Sequence, residues 1–224
     1  MSVTVQLEVN NIYVPEFVRG DLAAFREWAG DNDLPKKTRV DFFKGEVWVD
    51  MGREQIFTHG LLKTEFAFVL TGLMKRTKLG YYWCNGVLVT NEDADLSGNP
   101  DGTFVSHEAF ESARVTLKEG ADEGFVELVG TVDMVLEVVS VSSVSKDNVT
   151  LREAYWEADI PEYWIADARG ERLDFRILKH GPKGYVETRK QGGWLRSNVF
   201  GHAFRLTRSS DQTGNPCFNL EVKS

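Results

Sequence analysis

The chain has 224 residues, of which 42% are hydrophobic and 12% aromatic, and its formal net charge is −8 with a pI of about 5.1. This composition excludes a disordered chain and fits one large globular domain. The acidic balance argues against tight constitutive binding to nucleic acid, although it allows a local basic groove. Cys84 and Cys217 lack metal-binding spacing, which indicates reduced thiols and a cytoplasmic location. With no signal peptide and no apolar run near the roughly 18 residues of a membrane span, we expect no membrane association.

The first half of the chain alternates between strand and helix patterns. The predicted elements are a strand over 3–8, a helix over 22–29, a hairpin over 38–50 and a helix over 57–78. Asp21 is a typical N-cap for the first helix and Gly30 a typical stop. The hairpin is expected to turn at Lys44-Gly45, because alternating runs flank that pair.

The second half predicts a sheet with parallel and antiparallel strands. We expect strands at 80–90, 103–106, 132–139 and 162–167, and a helix over 146–159. A strand, a helix and a strand in that order indicate a βαβ crossover, so part of the sheet should be parallel. From about residue 171 the chain alternates and turns on Gly-containing pairs, as appended antiparallel strands do.

No composition shift marks a linker. We therefore expect a single domain over 1–224, made of an N-terminal extension (1–36), a core (37–170) and a C-terminal β extension (171–224).

Two carboxylates are placed where chemistry would explain them. Asp101 lies in Asn99-Pro100-Asp101-Gly102, a sequence that also suits an ordinary turn. Glu137 interrupts the apolar run 134–139, where an ionised carboxylate costs several kcal/mol unless a cation or a donor meets it. A divalent metal shared with Asp101 would meet that cost, because hard cations such as magnesium take oxygen ligands and lower the pKa of bound water. Metal-assisted phosphodiester hydrolysis is the chemistry that such a pair predicts.

Other polar residues are weaker candidates. Lys146 and Arg152 begin the helix after the Glu137 strand and could place a positive charge at the site, although a solvated helix flank is the simpler explanation for Lys146 alone. Glu46, on the hairpin, and His59, at the start of the long helix, could assist in metal binding or proton transfer. For each of the two, a surface group with its hydrogen bonds satisfied is the favoured explanation.

In their order and spacing, these residues resemble the Uma-two family of endonucleases, in the PD-(D/E)xK restriction-endonuclease-like superfamily. The matching elements are Gly45-Glu46, His59, Pro100-Asp101, Leu136-Glu137-Val138-Val139-Ser140, Asp147 with Tyr155, and Ile160-Pro161-Glu162-Tyr163-Trp164-Ile165-Ala166-Asp167. Together they cover residues from about 40 to 170.

The resemblance implies an α/β fold with a restriction-endonuclease-like central mixed β-sheet flanked by helices, and with appended antiparallel strands. It also implies Mg²⁺ or Mn²⁺ held by Asp101 and Glu137, with Glu46 as a neighbour of the site. Two positions depart from the pattern. The superfamily lysine two residues after the Glu is Val139, and the alternative position on the next helix is Leu151. Either Lys146 or Arg152 then supplies the positive charge, or the positive charge is missing.

Two functions follow. The first is a metal-dependent endonuclease that hydrolyses DNA phosphodiester bonds, with Asp101, Glu137, Lys146 and Glu46 in the site, and with DNA favoured over RNA as substrate. The second is a catalytically decayed nuclease-fold module that binds nucleic acid or protein. A homodimer is compatible with the first, because twofold dimers are the commonest oligomers and two active sites can cut both strands.

Overall fold

The computed structural model describes residues 3–7, 10–30, 38–50, 54–85, 87–120 and 124–224. In chain order, its elements up to residue 98 are β1 (Val3–Leu7), β2 (Asn10–Val14), α1 (Leu22–Ala29), β3 (Arg39–Phe43), β4 (Glu46–Asp50), α2 (Leu62–Thr77), β5 (Gly80–Cys84), β6 (Leu88–Asn91) and β7 (Leu96–Gly98). A 3₁₀ turn (Glu16–Val18) precedes α1, and a π-helical turn (Ile56–Leu61) leads into α2.

The remaining elements are β8 (Gly102–Ser106), α3 (His107–Glu111), β9 (Val115–Glu119), β10 (Phe125–Gly130), β11 (Met134–Val138), α4 (Leu151–Glu157), β12 (Glu162–Asp167), β13 (Asp174–Lys179), β14 (Val186–Glu187), β15 (Leu195–Arg196), β16 (Ala203–Ser210) and β17 (Pro216–Lys223). A second π-helical turn (Lys146–Thr150) leads into α4.

Two six-stranded mixed sheets and two smaller antiparallel sheets form the architecture. The strand orders are β4-β3-β7-β6-β10-β9 for the first large sheet, β14-β13-β12-β11-β8-β5 for the second, β1-β2 for the small N-terminal sheet and β15-β16-β17 for the C-terminal sheet. In the second large sheet β11 and β12 are parallel, as the crossover predicts, while β8 is antiparallel to β11. This confirms the predicted mixed α/β fold with additional antiparallel strands.

Strand β11 is buried on both faces, which explains its apolar sequence. On one face Val135 packs in a cluster with residues of α4 and β12, including Tyr155 and Ile165. On the other face Leu136 packs with α2 and with residues of the C-terminal sheet. Glu137 belongs to the first face, because side chains alternate along a strand.

Several predicted elements are confirmed with narrower bounds. Asp21 accepts a hydrogen bond from Ala24 N–H and caps α1, and the β3–β4 hairpin turns at Lys44-Gly45. The long helix is α-helical only from Leu62, because a π-helical turn precedes it. The helix expected over 146–159 likewise starts with a π-helical turn and is α-helical from Leu151.

The single strand expected over 80–90 is wrong. The chain forms β5, leaves the sheet at Asn85, where φ is +59°, and re-enters as β6 in the other large sheet. A left-handed residue between two apolar strands changes the chain direction, and an alternation pattern alone does not report it.

The C-terminal segment contributes a strand to the second large sheet and residues to the core. Strand β13 pairs with β12 inside the second large sheet, and Phe204 and Leu220 of the C-terminal sheet are buried in the same cluster as Leu136. The domain boundaries at residues 36 and 170 stay predictions. Among the described helices, none combines the length and apolar character that crossing a membrane requires.

Candidate active site

Asp101 and Glu137 are brought together by the pairing of β8 with β11. These antiparallel strands pair Gly102 with Leu136 and Thr103 with Val135. Continuing this register by one residue places Asp101 opposite Glu137, where Cβ atoms are typically about 5 Å apart. Both side chains are almost completely buried, at 2% and 3% exposure. Two carboxylates 36 residues apart in sequence therefore form a buried acidic pair.

Gly102 is required beside Asp101 by the packing of β8 against β5. A Cβ at Gly102 would lie 2.2 Å from the Tyr82 hydroxyl oxygen, which is itself buried without a hydrogen-bond partner. Gly102 in the Pro-Asp-Gly sequence thus leaves room for the Tyr82 side chain as well as suiting a turn.

Asp101 is surrounded by donors and cations. Its Oδ1 accepts a hydrogen bond from Arg39 Nη1 at 2.9 Å and lies 3.5 Å from Lys63 Nζ. Its Oδ2 accepts from Val138 N–H at 2.8 Å and lies 3.6 Å from His59 Nε2. Burial alone would raise the pKa of Asp101, but these three side chains outweigh it and lower the pKa below the usual range.

Glu137 has a different environment. Tyr155, on α4, donates its hydroxyl to Glu137 Oε1 at 2.7 Å. Burial, followed by the nearby charges of Asp101 and Asp147, raises the pKa of Glu137 well above its ordinary value. The positive charges of Lys146 and Arg39 oppose this shift without cancelling it. The acidic pair therefore has a deficit of positive charge on its Glu137 side.

Lys146 is fixed beside the pair by Asp41. The Lys146 Nζ contacts Asp41 Oδ2 at 2.8 Å, and Asp41 Oδ1 accepts from Asn99 N–H at 2.9 Å. Burial opposes the charge of Lys146, but Asp41 and Glu137 outweigh it and raise its pKa. Asp41, on β3, therefore connects the Lys146 turn to the loop that presents Asp101.

The π-helical turn before α2 positions two further groups. Gln55 caps this turn by accepting from Thr58 N–H, and Glu54 accepts from His59 Nδ1 at 2.9 Å. Glu54 also forms an ion pair with Lys63, whose ammonium donates to Asn85 Oδ1 at 3.2 Å. The extra residue of a π-helical turn is a common device at functional sites. Here it directs His59 and Lys63 toward Asp101.

Asp147 is a third buried carboxylate near the pair. Its Oδ2 accepts from the Ser143 hydroxyl, while its Oδ1 is buried with no hydrogen-bond partner. Burial raises the pKa of Asp147 to about 6. Leaving a buried carboxylate oxygen without a hydrogen bond is costly.

The sequence-based candidates divide into two groups. Asp101, Glu137, Lys146 and His59 are brought together by the fold. Glu46 instead lies exposed at the hairpin turn, where it pairs across the strand with Phe43. Arg152 donates to the carbonyl oxygen of Tyr185 at 2.9 Å. Of the two cations proposed for the missing motif lysine, Lys146 is the one within electrostatic reach of Glu137.

Arg39, Asp41 and Lys63 also belong to the cluster and were not predicted. Asp41 and Arg39 alternate with buried residues on β3, so a polar residue on the buried side of a hairpin strand was an available signal. Lys63 could also have been recognised from the sequence, because it lies four residues, about one helical turn, after the candidate His59. Their contacts with residues far away in sequence could not be predicted from local patterns.

The carboxylate oxygens at this site are the type of ligand that a hard divalent cation binds. Three carboxylates interact electrostatically, Glu137 and Asp147 have raised pKa values, and Asp147 Oδ1 is without a partner. In the geometry described, Asp101 is occupied by Arg39 and Val138, and no group of three His, Cys, Asp or Glu side chains in the described ranges is already arranged around a common point. A cation would therefore have to compete with Arg39 for Asp101.

The second large sheet of this mixed α/β fold buries an Asp–Glu pair on adjacent strands. The family profile of Uma2, described as "Putative restriction endonuclease", matches residues 22–209, and the chain belongs to this family. The crystal structure of a "putative nuclease belonging to DUF820" from Anabaena variabilis ATCC 29413 is similar, with a TM-score of 0.58 at 12% identity. The match covers 80% of this chain and 90% of that one. Among curated proteins, none matches the chain.

Proposed function

We propose that the protein is a metal-dependent endonuclease that hydrolyses DNA phosphodiester bonds. The observation that supports this most directly is the buried pair of Asp101 and Glu137, opposed on β8 and β11. The Uma2 family and the nuclease-fold neighbour support a nuclease-like function independently of this pair.

Asp101 and Glu137 would hold Mg²⁺ or Mn²⁺, with Asp147 as an additional carboxylate nearby. When bound, such a cation lowers the pKa of water and neutralises charge on the phosphate. The raised pKa of Glu137 is the electrostatic sign that this side chain lacks a full counter-charge.

The positive side chains have separate tasks in this proposal. Lys146, held by Asp41 at 2.8 Å, would place its ammonium beside the scissile phosphate and stabilise the charge that develops there. Lys63 and His59, aligned by Glu54, would hold the Asp101 carboxylate in place. Because Asp41 and Glu54 fix their partners before substrate arrives, little reorganisation is needed.

The occupied state of Asp101 favours a second candidate function. Arg39, Lys63, His59 and Val138 N–H already surround this carboxylate. A decayed nuclease-fold module that binds nucleic acid without cleaving it would keep these ion pairs permanently.

Plasmid cleavage with Mg²⁺ or Mn²⁺ separates the two. Under the endonuclease proposal, Asp101→Asn and Glu137→Gln lower the cleavage rate by about 100-fold or more, whereas the exposed Glu111→Gln on α3 cleaves like the parent. Cleavage by Glu137→Gln at the parental rate would show the assignment to be wrong.

A thermal melt gives a test that needs no turnover. A cation that binds only the folded state adds about 2.7 kcal/mol at 100 times its Kd. Manganese should therefore raise the Tm of the parent and of Glu111→Gln, and leave Glu137→Gln unchanged. The binding module predicts no shift for any of the three.

A further inference from the structure

The charge of this acidic chain is divided unequally along the sequence. Residues 171–224 contain ten Lys and Arg against five Asp and Glu, whereas residues 1–170 contain 16 against 29. The last quarter of the chain is therefore basic on a strongly acidic body. An asymmetry of this kind is an electrostatic signature of a surface for a polyanion.

The outer face of the C-terminal sheet collects part of this positive charge. Strand pairing sets Arg196 opposite Ala203 and Ala203 opposite Lys223, so the two basic side chains flank a small one in a row across the three strands. Phe204 and Leu195, on the opposite face, are buried in the core. Side-chain alternation thus directs Arg196 and Lys223 to solvent, and both are exposed.

An aromatic ring lies in the same surface. Lys223 Nζ is 4.3 Å, and the Arg205 guanidinium 4.7 Å, from the centroid of the half-buried Trp194 ring. Arg205 is paired with Glu221 and is largely compensated. Arg196 and Lys223 have no carboxylate within ion-pair distance in the part of the chain that the structure describes.

The basic surface continues onto the last turn of α2. A cavity of about 330 Å³ lies between this turn and the C-terminal sheet, lined by Leu73, Arg76, Thr77, His202, Val222, Lys223 and Ser224. Arg76 is exposed, and Lys75 and Lys78 lie on either side of it in sequence. None of these three forms an ion pair with another described residue. The helix dipole favours cations at this end of α2, but it leaves all three without a carboxylate partner among the described residues.

We propose that this basic surface, defined as Arg76, Trp194, Arg196, His202 and Lys223, binds the phosphate backbone of duplex DNA. The proposal rests on the proposed endonuclease function, and it adds a binding surface that is separate from the acidic pair. Exposed Lys and Arg without carboxylate partners recognise phosphates through charge and hydrogen bonds, and they release counterions on binding.

Helix α2 relates the basic surface to the active site. Lys63 at its first turn contacts Asp101, while Arg76 at its last turn lines the cavity. Thirteen residues at about 1.5 Å each separate the two positions by roughly 20 Å. At about 3.4 Å per base pair, this distance corresponds to roughly six base pairs of duplex. A duplex engaged at both positions must extend at least that far beyond the cleaved bond.

The test compares two triple variants that remove the same charge. Arg76→Gln, Arg196→Gln and Lys223→Gln alter the basic surface. Arg19→Gln, Arg172→Gln and Lys183→Gln alter exposed positions outside it. Binding of a fluorescent 20-base-pair duplex is measured by anisotropy at several salt concentrations, in EDTA to prevent cleavage. Tm values confirm that both variants are folded.

The surface variant should bind at least about tenfold more weakly. Its plot of log K against log [salt] should also be less steep, because each phosphate contact contributes roughly 0.9 to the slope and two to three contacts are lost. The control variant should bind within about threefold of the parent. Equal losses in the two variants, no loss in either, or a parent that binds anionic phospholipid vesicles and not the duplex would each overturn the proposal.

The plasmid assay keeps the two proposals distinct. Surface-dependent binding without metal-dependent cleavage contradicts the endonuclease and leaves the DNA-binding surface standing. If the parent cleaves plasmid and the surface variant binds the duplex as tightly as the parent, only the proposed DNA-binding surface is contradicted.

Discussion

Asp101 and Glu137 face each other across two antiparallel strands, and the fold shifts their pKa values in opposite directions. Three cations and a backbone amide surround Asp101, whereas Glu137 receives a tyrosine hydroxyl. Identical burial therefore gives one carboxylate that is firmly ionised and one that resists ionisation. The cations of the protein do not fully neutralise such a pair, which can therefore still attract a further positive charge.

Glu137→Gln should stabilise the protein at alkaline pH. A carboxyl group with a raised pKa holds its proton more strongly in the folded state, so its contribution to stability falls as the pH rises above 4.5, its ordinary value. We expect the free energy of unfolding of the variant to exceed that of the parent by roughly 1–3 kcal/mol at pH 8, and to match it near pH 4. Urea unfolding at pH 4, 6 and 8 measures this.

Glu127 provides the matched control. It is also buried, but Arg26 outweighs its burial and its pKa is lowered. Its contribution is present above the ordinary carboxylate pKa and lost as the pH falls through the lowered value. Glu127→Gln should therefore destabilise the protein at pH 8. Destabilisation of the same size in both variants at pH 8 would contradict the proposed charge deficit at Glu137.

Arg39→Gln should weaken folding and strengthen cation binding. The Arg39 guanidinium bonds a carboxylate that is 2% exposed, so its removal leaves Asp101 with Lys63, His59 and the Val138 N–H. We expect a loss of about 1–3 kcal/mol in urea unfolding, below the full cost of breaking a buried pair. The Mn²⁺-induced rise in Tm should increase, because the competing charge is gone.

Lys44→Gln is the control for this change. It removes a cation from an exposed ion pair with Glu157 and should cost less than about 1 kcal/mol. An Arg39→Gln protein whose response to Mn²⁺ equals that of the parent would show that Arg39 and the cation do not compete.

Lys146→Met and Lys63→Met should distinguish the residue proposed to act on the phosphate from the residue proposed to hold Asp101 in place. Lys146 interacts electrostatically with Glu137, so its removal should lower the rate of plasmid cleavage by about 100-fold with little change in the Mn²⁺-induced Tm shift. Removal of Lys63, which contacts Asp101 and Glu54, should alter both readouts. The assignment fails if Lys146→Met cleaves at the parental rate, because Lys146 would then only be the ion-pair partner of Asp41.

His59 should titrate above its ordinary value. Burial opposes its protonation, but the close Asp101 carboxylate outweighs burial and raises the pKa of His59 above 6.5. A raised histidine pKa adds stability that is complete below pH 6.5 and disappears as the pH rises through the folded value. NMR titration of the ring should show this shift in the parent and a lower pKa in Asp101→Asn. An unchanged pKa in the variant would exclude Asp101 as the cause.

Glu162→Gln should loosen the C-terminal sheet from the core. This buried carboxylate accepts hydrogen bonds from Ser197 Oγ at 2.7 Å, from Asn198 N–H at 2.5 Å and from Trp164 Nε1 at 2.9 Å. The amide group cannot accept all of them, and hydrogen bonds to charged groups contribute about 1.5–3 kcal/mol. We expect a loss of that order, with faster amide exchange in 195–200. Unchanged exchange there would show that packing alone attaches the sheet.

Much of the fold was predictable because local chemistry dictates it. The Asp21 cap, the Lys44-Gly45 turn and the alternation around Glu137 each act within a few residues. The acidic pair was predictable for a similar reason, since an apolar strand gives Glu137 no packing role.

The remaining features depend on contacts between distant residues. The bond between Lys146 and Asp41 spans 105 residues, and the bond between Arg39 and Asp101 spans 62. No periodicity encodes such distances. The direction change at Asn85 was missed because the apolar runs on either side were taken as one strand, although Asn85-Gly86 is a typical turn dipeptide.

Helix α2 also protects the outermost strand of the C-terminal sheet. Glu65 accepts the outward-facing amide of Leu220 at 2.7 Å, and α2 together with the preceding π-helical turn lies along β17. An open strand edge invites another chain to add to it, with fibre growth as the extreme result. Here a carboxylate already occupies an amide that an incoming strand would need. This edge of the C-terminal sheet is therefore a poor starting point for self-association through strand pairing.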